Sequence, residues 1–103
     1  MWFNVEQARS HLLEKGFVLT LRPKALRGPG RKTSGYDVLM YKGFGKKGNI
    51  FFCYVTFIRD PAALDLYSKY SGFTSLSEWQ QVAGDNRHLF LVVLLDRPAM
   101  HST

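Results

Sequence analysis

The chain is 103 residues long, carries a net charge of +6 and is 46% hydrophobic and 15% aromatic. That length supports one core, so a single domain over 1–98 with a frayed tail at 99–103 is expected, and the composition excludes disorder as the dominant state. Its apolar runs, NIFFCYVTFI and HLFLVVLL, fall short of the roughly 18 to 20 residues that cross a bilayer, and no signal-peptide pattern opens the sequence, so no membrane association is expected.

In chain order, Val5, Ala8, Leu12 and Leu13 recur at helical spacing and Gly16 supplies a left-handed stop, which predicts a helix over about 4–15. FVLTLR at 17–22 alternates Phe17, Leu19 and Leu21 with Val18, Thr20 and Arg22, a strand pattern that places Thr20 and Arg22 on one face. The segment RPKALRGPGRKTSGYD that follows is too rich in glycine and proline for helix or strand. YDVLMYKGF at 36–44 resumes β character, and GKKG at 45–48 predicts a hairpin tip. NIFFCYVTFIRD at 49–60 predicts a long central strand.

Asp60 before Pro61 is an N-cap followed by proline at the first helical position, opening a short helix to about Tyr70. Ser75 and Glu78 have capping-box spacing, and Leu76, Trp79 and Val82 mark the buried side of a second helix that stops at Gly84. HLFLVVLLDR closes the domain as a last strand. The order suits an α+β fold: a small, partly closed, mostly antiparallel β-barrel with short flanking helices. The lone cysteine, Cys53, can form no internal disulfide and is expected as a buried, inert thiol, which favours a reducing, cytoplasmic location.

Charge is the most informative feature. From Arg22 to Lys47 there are eight cations, Arg22, Lys24, Arg27, Arg31, Lys32, Lys42, Lys46 and Lys47, against Asp37 alone. This surplus exceeds the net charge of the chain, so the positive field belongs to one contiguous quarter of it. Such a field suits an anionic partner, nucleic acid above all, with arginine forks on phosphates and exposed backbone at the glycines. The competing reading is a solvated connection whose charges serve solubility. Tyr36, Tyr41 and Phe44 are either stacking surfaces for unpaired bases or core residues. Arg22 is either a cleft residue or a surface arginine paired with an acid such as Asp60.

His11, His88 and His101 have no metal-ligand spacing, and no metal or other cofactor is expected. Glu78 is a possible catalytic carboxylate, although its capping position already accounts for it.

Three stretches resemble the ASCH domain family of the PUA-like superfamily. LLEKGFVLTLRP at 12–23 is similar to the family's opening, ending in a T-x-R element, here Thr20, Leu21 and Arg22. YSGFTSLSEWQQVA at 70–83 resembles its "GF, small residue, x, x, E-W" helix start, and HLFLVVLLDR matches its closing strand in position and character. The resemblance implies a PUA-like barrel with a cleft at Thr20 and Arg22, and a partner among RNA or modified nucleobases. Some small members remove the acetyl group from N4-acetylcytidine with a lysine, a threonine and a distant glutamate. Thr20 would be that threonine and Glu78 that glutamate, but the lysine position falls on Phe17, and the second GRKT, at 30–33, is followed by Ser34 and Gly35 instead of a T-x-R strand.

The expectation is therefore a nucleic-acid-binding module, RNA favoured over DNA, contacting its partner through Arg22, Lys24, Arg27, Arg31, Lys32, Tyr36, Lys46 and Lys47 around a cleft at Thr20 and Arg22. The alternatives are a small amidohydrolase acting on a modified nucleobase and a module whose basic face meets an acidic protein.

Overall fold

The computed structural model describes residues 1–23, 33–41, 43 and 45–96. Lys24, Arg27, Arg31, Lys32, Lys42, Phe44 and the expected tail lie outside them.

Helix α1, Glu6–Lys15, buries Ala8 and Leu12 and ends at Gly16, whose φ of 87° lets its N–H reach the Leu12 carbonyl. β1 is Phe17–Arg22, β2 is Ser34–Tyr41 and β3 is Gly45–Phe57. Two 3₁₀ helices, Pro61–Leu66 and Ser68–Tyr70, replace the single short helix expected there, and the Asp60 carboxylate caps the first through the Ala62 N–H. Helix α2, Leu76–Ala83, starts at Ser75, whose hydroxyl accepts from the Glu78 N–H at 3.1 Å, and the chain closes with β4, His88–Asp96.

All three strand pairings are antiparallel, in the order β1-β4-β3-β2. The sheet is open: no ladder joins β1 to β2. Residues 1–3 run between these edges instead. Trp2 bridges to Met40 of β2, with the Phe3 N–H on the Met40 carbonyl and the Met40 N–H on that of Met1.

Alternation along β1 divides the core between the two faces of the sheet. Val18 joins Phe3, Ala8, Leu12, Leu39, Ile50, Phe52, Phe90 and Val92 beneath α1. Leu19 and Leu21 join Ile58, Leu64, Phe73, Trp79 and Leu89 beneath the 3₁₀ helices and α2. Cys53 is half-buried, because the helical layer on its face stops short of β2 and β3.

The expected GKKG tip is part of a strand. Met40 pairs with Lys46 and Tyr41 with Gly45, so the chain reverses between Tyr41 and Gly45, where Gly43 has a φ of 81°. Leu39 pairs with Gly48 next to Met40 with Lys46, which leaves Lys47 as the extra residue of a β-bulge. A side chain at position 48 would meet the Asp96 carbonyl oxygen of β4, so glycine here serves close packing.

Candidate functional site

A cleft of about 300 Å³ runs along the outer edge of β1. Thr20, Leu21, Arg22 and Pro23 form its floor, residues 2–5 and Ala8 one wall, and Phe73, Trp79, Val82, Ala83 and Asn86 the other. Each part has a local cause. The strand period turns Thr20 and Arg22 to the α1 face, and the bridge at Met40 draws Trp2 and Phe3 alongside. Capping by Ser75 starts α2 so that Trp79 falls on its inward side, where it is 2% exposed.

Arg22 is the only ionisable side chain among the described lining residues. One terminal N–H₂ donates to the Trp2 carbonyl oxygen at 3.0 Å, and the guanidinium carbon lies 4.7 Å from the centre of the Phe3 ring. The Nε is buried without a hydrogen-bond partner. No carboxylate side chain faces the group: all eight acids are among the described residues, and the one ion pair there joins the Met1 amino group to Asp37. Asp60, the partner considered from sequence, is occupied at its helix cap. Burial pushes the Arg22 guanidinium down to about 10, which leaves it fully protonated at neutral pH. A cation held in an apolar cleft without a counter-charge is costly, and an anionic or acceptor-rich ligand would relieve that cost.

The remaining expected site residues disperse. Glu78 does not line the cleft; its Oε1 accepts from the backbone N–H and the hydroxyl of Thr74, both at 3.2 Å. Phe17 lies on the opposite face of β1 from Thr20 and packs against His11 and Tyr70. Tyr41 packs against the α1-side core beneath the Arg9 guanidinium, whereas Tyr36 is exposed on the other face of the sheet. Lys46 is exposed in β3 and Lys47 half-buried there, both away from the cleft.

The cleft walls were not anticipated from sequence. Trp2, Phe73, Trp79 and Asn86 come from separate segments, and the only advance sign was the inward row Leu76, Trp79 and Val82, of which Val82 stands 49% exposed on the cleft wall instead of buried.

The lining offers shape, aromatic walls, a hydroxyl at Thr20, amides at Asn4 and Asn86, and one fixed positive charge. It contains no carboxylate, imidazole, thiol or amine to move a proton near neutrality. Among the described residues, no cluster of three or more His, Cys, Asp or Glu could hold a metal ion, and no helix is long and apolar enough to cross a membrane.

No protein-family model matches the chain, and neither a curated protein nor a solved structure does. The likeness to the ASCH family thus rests on the three motifs alone.

Proposed function

We propose that the chain is a nucleic-acid-binding module of ASCH or PUA-like type, preferring RNA or single strands, with the cleft at Thr20 and Arg22 taking one unit of the strand. One observation carries the reading: a desolvated guanidinium on the lining of an aromatic cleft, its Nε buried without a partner and its charge matched by no acid side chain. A nucleotide supplies both a planar ring for Trp2, which is 49% exposed at the cleft, and acceptor oxygens for the arginine fork.

Connectivity supports the same reading. The segment with the densest positive charge leaves β1 at Pro23, a residue of the cleft lining, and rejoins the sheet at Thr33, whose carbonyl oxygen accepts from the Tyr54 N–H. Cations between these two points of the sequence would add to the field of Arg22 that a polyanion meets.

The amidohydrolase alternative needs a group that activates water. With Phe17 on the far side of β1 and Glu78 held by Thr74, the described lining supplies none.

The test is fluorescence anisotropy with labelled single-stranded RNA, single-stranded DNA and duplex DNA across a salt series, repeated with Arg27, Arg31 and Lys32 replaced by alanine. The expected result is binding that weakens with salt, each neutralised phosphate contributing about 0.7 to the log–log slope for a single strand, and a shallower slope in the triple variant. Absence of binding to all three at low salt overturns the reading. Release of acetate from N4-acetylcytidine would replace it with the hydrolase, and binding confined to acidic proteins would replace it with the protein-interaction module.

A further inference from the structure

On the face opposite Thr20, the 3₁₀ helices and α2 cover β1 and the start of β4 but leave the β2 and β3 side bare. Tyr36 is 76% exposed, the most open of the large hydrophobic side chains among the described residues. It stands directly opposite Phe51 in the ladder, with ring centroids 5.2 Å apart in an edge-to-face arrangement. The row continues across the sheet through Val93, and Leu95, 51% exposed, extends the bare surface along β4. A soluble chain that leaves an edge-strand tyrosine so open, with an aromatic neighbour fixing its ring, has a surface for a flat partner.

Charge selects the partner. Lys24, Arg27, Arg31 and Lys32 precede β2 in sequence, and Lys42, Lys46 and Lys47 follow it, so the strand that carries Tyr36 is flanked in sequence by two cationic stretches. The nearby acids are engaged: Asp37 by the Met1 amino group, and Asp96 by the backbone N–H and side-chain amide of Asn49. A second copy docking here would bring together two chains that each carry a net charge of +6. A polyanion with exposed flat bases has the complementary charge and shape.

We infer that Tyr36 and Phe51 form a stacking platform for unpaired bases, which makes single-stranded rather than duplex nucleic acid the partner. The inference rests on the nucleic-acid reading above but uses a different face from the Arg22 cleft. Bases in a duplex are stacked on one another and give such a platform no free ring.

The experiment measures binding of an unstructured oligo-U RNA, oligo-dT and a blunt duplex of equal length to the parent chain, Tyr36→Ala, Tyr36→Phe and Arg22→Met. Because Tyr36 is exposed, its replacement spares the core. Tyr36→Ala is expected to weaken both single strands by about 5- to 100-fold with little change on duplex, and Tyr36→Phe to restore binding. Unchanged single-strand binding by Tyr36→Ala, with loss in Arg22→Met, overturns the platform and leaves the cleft reading standing. If the parent binds no nucleic acid, the cleft reading fails and the platform with it. A parent dimer that Tyr36→Ala converts to monomer identifies the face as a self-association surface and also overturns the inference.

Discussion

Arg22 on β1 donates to the carbonyl oxygen of Trp2 at 3.0 Å, and Trp2 in turn bridges to Met40 on β2. These two contacts connect the opposite edges of an open sheet. They also explain how a guanidinium comes to lie in a cleft: the N-terminal segment brings Phe3 beneath it and Trp2 beside it, while the strand holds its stem.

The interactions of Arg22 nearly cancel. Depression of its proton affinity to about 10 corresponds to an unfavourable burial of about 3 kcal/mol. A hydrogen bond from a charged donor returns about 1.5 to 3 kcal/mol, and the contact with the Phe3 ring about 0.5 to 2 kcal/mol. Arg22→Met, which keeps the stem and removes the charge, should therefore change unfolding stability by no more than about 2 kcal/mol in urea titrations. A loss of several kcal/mol would make Arg22 a structural residue first.

His11 sets an acid-side dependence. Burial, then the proximity of Lys15, lowers its proton affinity against the opposing pull of Glu14, and its Nε2 is buried without a partner. The folded value lies below the unfolded one of about 6.5, so between the two the unfolded chain binds more protons. Stability should rise with pH across that window and be lost as pH falls through it. Urea midpoints at a series of pH values should show this slope in the parent and a flatter one in His11→Asn.

Much of the fold could be read in the sequence because local signals and tertiary structure agree. Gly16, FVLTLR, Asp60 before Pro61, and Ser75 with Glu78 each mark a boundary whose cause is a backbone angle, an alternation or a cap. The long-range features could not be read. Nothing in the residues at 1–3 announces a bridge to Met40, and the cleft draws on segments with no shared local pattern. GKKG misled because glycines that suit a turn also suit a bulge and a close approach to β4.

Gly72 illustrates such a hidden constraint. Its φ is 91°, and a Cβ there would run into the Gln7 carbonyl oxygen and crowd His11 on α1. Gly72→Ala should cost about 2 to 4 kcal/mol from backbone strain and overpacking together, visible as a lowered melting temperature.

The cap of α2 links stability to the cleft wall. Ser75→Ala removes the acceptor for the Glu78 N–H and should cost about 1 kcal/mol in urea titrations. Glu78→Gln keeps an oxygen toward Thr74 and should leave nucleic-acid affinity unchanged, whereas a catalytic carboxylate would be silenced by it.

The most direct test of the central claim is the affinity of a labelled single-stranded RNA for the parent chain and for Arg22→Met at low salt, with folding of both confirmed by circular dichroism. The account predicts salt-sensitive binding by the parent and a large loss in a variant that remains folded. Equal affinity in the two would contradict it, showing that the buried charge of the cleft takes no part in holding the strand.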